Sequence, residues 1–159
     1  MPDSLAHLTR RQPFRRPFDL SELIRQLQTD LLPQATARRQ AIDIDAPEHL
    51  ALTADQEQIQ ALLLHVAENL LSAAPPAAKL LLTVCGDSQT TEIEIACCGD
   101  LNTTQPILAE EFSGDDQGWR AARTIARAHR GELTHLPGPE GGAAITLRIE
   151  TVTTQKIAA

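Results

Sequence analysis

The sequence predicts a two-layer α+β sandwich, with helices packed on one face of a mixed, mostly antiparallel sheet. Three observations carry that prediction. Apolar periodicity gives the order helix, two strands, helix, hairpin, loop, helix, hairpin. A length of 159 residues suits one hydrophobic core. Hydrophobic residues reach 42% while aromatics stay at 3%, so that core must be aliphatic.

Each element has its own signal. Residues 1–17 carry Pro13, Pro17 and four arginines and read as a flexible, solvated lead-in. Asp19 and Glu22 have capping-box spacing, and Leu20, Leu23, Ile24, Leu27 and Leu31 follow at helical intervals, so a first helix is expected to about Leu32, with Pro33 helping to end it. Strands are expected at 41–45 and 50–53. The clearest helix spans 55–74, where Ile59, Leu62, Leu63, Val66, Leu70 and Ala73 form an apolar stripe. Beside it Gln58, His65, Glu68, Asn69 and Ser72 form a polar stripe, and Pro75-Pro76 stops the helix. Strands at 79–84 and 90–97 read as a hairpin across Gly86-Asp87-Ser88. Residues 99–117 show no periodicity. A third helix, about 119–129, turns Ala122, Ile125 and Ala126 inward, with Gly131 as its C-terminal stop. Strands at 133–136 and 143–152 finish the fold around a turn at 137–142, and 153–159 form a tail.

Composition excludes several classes. A net charge of −7 argues against a general nucleic-acid binder, although Arg10, Arg11, Arg15 and Arg16 crowd one segment. That cluster suits a solvated linker; RNA or a membrane surface is the other reading. Cys85, Cys97 and Cys98 lack disulfide or zinc spacing, and the adjacent pair reads as small buried strand residues. No apolar run approaches the roughly 20 residues of a membrane helix. The first residues have no secretory apolar segment, so a cytoplasmic location without membrane insertion is the expectation.

Five strings in order give the chain a resemblance. They are Phe18-Asp19-Leu20-Ser21-Glu22-Leu23; Thr53-Ala54-Asp55 followed fourteen residues later by Asn69; residues 92–99; residues 122–133, with Thr124, Ile125, His129 and Gly131; and Gly141-Gly142 entering the last strand. Over residues 18–152 the chain resembles the catalytic ATP-binding domain of sensor histidine kinases. That domain shares the Bergerat-type fold with DNA gyrase, heat-shock ATPase chaperones and mismatch-repair ATPases. The resemblance implies ATP and Mg²⁺ as ligands if the site is functional, and no cofactor otherwise.

It also implies roles for particular residues. Asn69 falls where the family holds Mg²⁺, a hard ion that takes oxygen ligands; a solvated helix asparagine is the plainer reading. His65 lies one turn back on the same face and could serve as a base near neutral pH, or be a partly buried histidine with no catalytic role. Glu68, one residue round the helix, ranks lower. In the first glycine box the family has Asp-x-Gly-x-Gly, whereas Cys97, Cys98, Gly99, Asp100 and Leu101 stand here. A thiol is a poor acceptor for the adenine amino group, and losing a hydrogen bond to a charged group costs about 1.5–3 kcal/mol. Asp100 could replace the lost acceptor after a one-residue shift. In the second box, Gly-x-Gly-Leu in the family, Gly118 remains but Asp116 brings negative charge toward the phosphates. Arg120 and Arg123 could offset it or be surface residues. Phe112 matches either a lid-packing or a core phenylalanine, and His129 falls at a structural place before Gly131.

The expected function is a degenerate kinase-type domain acting as a regulatory or interaction module in two-component signalling, a pseudokinase with weak or absent ATP binding. The alternative is an active ATP/Mg-binding domain that phosphorylates a histidine on a separate domain. The partner class is a phosphorelay protein, either a kinase dimerisation domain or a response regulator. None of His7, His49, His65, His129 and His135 has a phosphoacceptor setting.

Overall fold

The computed structural model describes residues 2–98, 117–137 and 143–151. In chain order its elements are α1 (Pro2–Leu8), β1 (Arg16–Asp19), α2 (Leu20–Ala37), β2 (Ala41–Asp45), β3 (Ala51–Ala54), α3 (Gln56–Ala73), β4 (Lys79–Gly86), β5 (Thr90–Cys98), α4 (Gln117–Ala128), β6 (Gly131–Pro137) and β7 (Ala143–Glu150). Five strands form one sheet in the order β2-β4-β5-β7-β6. β2 runs parallel to β4 and the remaining pairs are antiparallel, the mixed sheet that was expected.

Alternation along the strands decides which face the helices cover. Leu80, Leu82 and Val84 of β4 are buried with Ile93, Ile95 and Cys97 of β5 and Ile145, Leu147 and Ile149 of β7. Cys85, Glu92 and Arg148, on the opposite face, are exposed. Leu23, Ile24, Leu27 and Leu31 of α2, Ile59, Leu62, Leu63, Val66 and Leu70 of α3, and Ala122, Ile125 and Ala126 of α4 join the same core. Each apolar stripe read from the sequence thus meets the buried face of the sheet. Among the described residues, Trp119 is the one large aromatic wholly inside.

Caps set the helix starts. Asp19 accepts hydrogen bonds from the Ser21 and Glu22 N–H groups at the head of α2, and Asp55 accepts from Gln58 N–H at the head of α3. In the β4–β5 turn Asp87 Oδ1 accepts from Gln89 and Thr90 N–H at 2.7 and 2.8 Å. Those two bonds hold its carboxyl below the usual carboxylate range, Thr90 contributing more than Gln89.

Four expectations need correction. Residues 1–17, read as a flexible lead-in, hold α1 and the first half of β1, and Leu5 is buried against the core. The strand β3 belongs to a separate two-stranded sheet, pairing antiparallel with β1. Pro33 lies inside α2 rather than ending it. Its missing N–H costs one helical bond, but the next turn is anchored on α3. Gln34 donates to Glu68 O, and Arg38 donates to Leu71 O and Ser72 O. The helix ends where Arg39 takes φ 58° and Gln40 N–H returns to Ala35 O. Finally, Arg130, not Gly131, takes the left-handed conformation after α4, with φ 57°. Gly131 answers to a different need, because a Cβ there would lie 2.1 Å from the Arg148 carbonyl oxygen. Backbone passes so close to backbone that only hydrogen fits.

Candidate functional site

The polar stripe predicted along α3 divides into two parts. At its start, Gln58 is buried and donates from Nε2 to the carbonyls of Leu8 and Arg11. Farther along, His65 and Asn69 are half-buried, while Glu68 and Ser72 are exposed. Asn69 Nδ2 donates to its own helix at His65 O, 2.7 Å away, and lies 3.4 Å from His65 Nε2. This leaves Asn69 Oδ1 as the acceptor atom of the amide, the atom a hard cation would take.

His65 and Gly118 are brought together through Trp119. The His65 ring meets the Trp119 ring edge-on, with centroids 5.3 Å apart at 74°. Gly118, buried at the head of α4, precedes that tryptophan. The middle of α3 and the start of α4 therefore share a wall, and those two elements carry the helical candidates. The sequence pattern placed Trp119 only at the start of the third helix. Its being the only tryptophan in an aromatic-poor core was the available signal.

Cys97 faces the core at 2% exposure, paired across the sheet with Leu80 and Ala143. Its buried strand position is as expected. A carboxylate there would lie among aliphatic side chains and need a strong partner. The thiol contributes neither charge nor a good acceptor. Gly99, Asp100, Leu101, Phe112, Asp116, Gly141 and Gly142 lie outside the described residues. Adenine recognition by a carboxylate does not fit Cys97, whereas Asn69 suits a cation ligand. No group of three or more His, Cys, Asp or Glu arranged for a metal occurs among the described residues.

A second polar centre escaped the sequence reading. Asp55 is buried, yet binds the Arg11 guanidinium through both carboxylate oxygens, with Nη1 to Oδ2 at 2.5 Å and Nη2 to Oδ1 at 3.2 Å. It also accepts the Phe14 N–H at 2.8 Å, and Arg11 reaches on to Glu57 at 2.7 Å. Burial pushes the Asp55 carboxyl up, but Arg11 and the N–H groups of Phe14 and Gln58 outweigh it and bring it to about 2. From the other side, Asp55 N–H donates to His129 Nε2 at 3.1 Å, and His129 Nδ1 lies 2.9 Å from Ile125 O. These contacts fix a neutral imidazole protonated on Nδ1. Burial holds its pKa below the ordinary value, overcoming the bond to Ile125. The structural place expected for His129 is thus given a mechanism.

No protein-family model matches the sequence, and no curated protein matches it. The likeness lies in three dimensions. The fold is that of histidine kinase catalytic domains. Over 87% of this chain and 96% of the other, it superposes on the catalytic domain of histidine kinase ThkA with a TM-score of 0.74 at 18% identity. Acinetobacter baumannii histidine kinase AdeS matches over 94% of this chain and 75% of its own, with a TM-score of 0.75 at 16% identity. Histidine kinase ThkA in complex with response regulator protein TrrA matches over 87% of this chain and 42% of that one, with a TM-score of 0.73 at 19% identity.

Proposed function

We propose that the chain is a degenerate histidine-kinase-type ATP-binding domain that works as a regulatory or interaction module in bacterial two-component signalling, binding ATP weakly or not at all. The observation that carries this reading is the buried Cys97 thiol, at the position where the resemblance calls for the adenine-binding carboxylate. Loss of that acceptor lowers affinity roughly tenfold to a hundredfold. The fold needs no nucleotide contact at this point, because Cys97 packs as an ordinary strand residue between Leu80 and Ala143.

A structurally similar kinase was solved with a response regulator bound. That supports a phosphorelay protein, either a regulator or a kinase dimerisation domain, as the partner class here. The site of action that goes with this signalling role is the cytoplasm; no described helix is long and apolar enough to cross a membrane. The second reading is an active ATP/Mg-binding domain that phosphorylates a histidine on another domain or partner. Asn69 favours it, since the Oδ1 acceptor suits Mg²⁺.

Calorimetric titration with ATP and ADP, with and without Mg²⁺, separates the two. Absence of heat up to millimolar nucleotide is the expected result, with binding gained in Cys97→Asp. Micromolar, Mg²⁺-dependent binding that Asn69→Ala abolishes would overturn the degenerate reading.

A further inference from the structure

The arginines of the N-terminal segment do not stand alone in the folded chain. Arg15 Nη2 donates to the carbonyl of Ala128, 2.6 Å away across 113 positions, and so sits at the C-terminal end of α4. Arg120, Arg123 and Arg127 line one side of that helix at intervals of three and four residues, opposite the buried Trp119, Ala122, Ile125 and Ala126. Residues 117–128 contain no acid. Beside Arg15, Phe14 is 61% exposed and carries the Arg16 guanidinium 4.4 Å from its ring centroid. Arg15, Arg16 and Arg127 are all exposed.

The remaining nearby arginines are occupied in other ways. Arg11 is committed to Asp55 and Glu57. Arg130 shares a cleft with Glu132, Arg148 and Glu150. Arg120 and Arg123 make contacts of their own within the chain. The centre of the surface is therefore Arg15 at the C-terminal end of α4, the helix end to which Arg127 belongs, with the Arg16–Phe14 stack adjoining it along the chain and the other α4 arginines extending it.

We propose that this face adsorbs to an anionic lipid surface, arginines on headgroup phosphates and Phe14 in the headgroup layer. Three features favour a bilayer over nucleic acid or an acidic protein. The arginines sit on the outside of a helix and a strap, which fits a flat array of phosphates. The aromatic among them is exposed and stacked under a cation, an amphipathic pair of the sort that settles at the membrane boundary. The chain carries −7 overall, so a polyanion able to wrap it is repelled by the rest, whereas a plane touches one face alone. The inference stands independently of nucleotide binding.

The test is flotation of the full chain with vesicles of phosphatidylcholine and phosphatidylglycerol, against phosphatidylcholine alone. Binding is expected only with phosphatidylglycerol, and should fall steeply between low and high salt. Each arginine near such a surface contributes roughly fivefold, so Arg15→Gln/Arg16→Gln/Arg127→Gln should lose about a hundredfold. Phe14→Ala should lose severalfold, and unchanged circular dichroism would show both variants folded. No phosphatidylglycerol-dependent binding, or equal binding by a folded triple variant, overturns the proposal. So does tighter binding to duplex DNA or polyglutamate that the triple variant abolishes.

Discussion

The two polar regions of α3 are built in opposite ways. At its start, the Asp55 carboxylate takes bonds from Arg11, Phe14 N–H and Gln58 N–H, and its own N–H goes to His129. Those partners come from the N-terminal segment, from α3 itself and from the residue after α4. In the middle, Asn69 turns back onto its own helix and His65 leans on Trp119. The first centre joins elements distant in sequence, so the fold depends on it. In the second, Asn69 is satisfied within its own helix, so that side chain can change without loosening the fold.

The sharpest way to break this contrast is Asp55→Ala. It removes an N-cap, leaves Glu57 to hold the Arg11 guanidinium and strands the Phe14 amide, and urea unfolding should show a loss of about 2–3 kcal/mol. Gly131→Ala should follow closely. It places a methyl on the Arg148 carbonyl just after the turn that carries His129, and overpacking of this kind costs about 1–3 kcal/mol. A loss under 0.5 kcal/mol would mean β6 and β7 separate easily.

Acid titration gives an intermediate effect. His129 is held neutral, so below about pH 6.5 the unfolded chain takes up a proton that the folded one resists, and stability falls. Asp55 lies near 2 in the folded chain against an ordinary value near 4. Its contribution is complete above that ordinary value and disappears as pH drops toward 2. Asp19 behaves likewise, held to about 2 by His49 first and the Leu50 N–H second. Arg11→Ala should flatten the part of the curve below pH 4, measured by thermal melts across the range. A curve parallel to wild type there would show that Arg11 does not set the Asp55 carboxyl.

The smallest effect belongs to Asn69→Ala. Its amide is bonded within one turn, and alanine is the better helix former, so the melting curve should move by less than about 0.5 kcal/mol. A loss above 1.5 kcal/mol would erase the contrast between the two regions.

The sandwich was legible because apolar spacing at two and at three-to-four residues survives burial. The capping-box Asp19, the β4–β5 hairpin and the stripes of α2, α3 and α4 could all be read from local pattern. Long-range satisfaction could not. Nothing local tells that Arg11 finds Asp55 across 44 positions, or that Gln58 turns to the carbonyl of Leu8. A run of arginines and prolines reads as solvated because its partners are not in the window. Pro33 misled for the same reason, since the anchoring of the last α2 turn comes from the far end of α3. Gly131 was read through its chain neighbours, while its cause is a carbonyl on the adjacent strand. Of the candidate site, the common face of His65 and Asn69 on α3 followed from helix geometry. Trp119 emerged only when α3 and α4 were packed.

The strap formed by residues 11–19 also has a mechanical meaning. Tension applied at the amino terminus would load the Arg11–Asp55 pair and the β1–β3 strands before reaching the five-stranded sheet. Because Arg15 is tied to the end of α4 and Asp55 caps α3, the same pull reaches two helix ends at once.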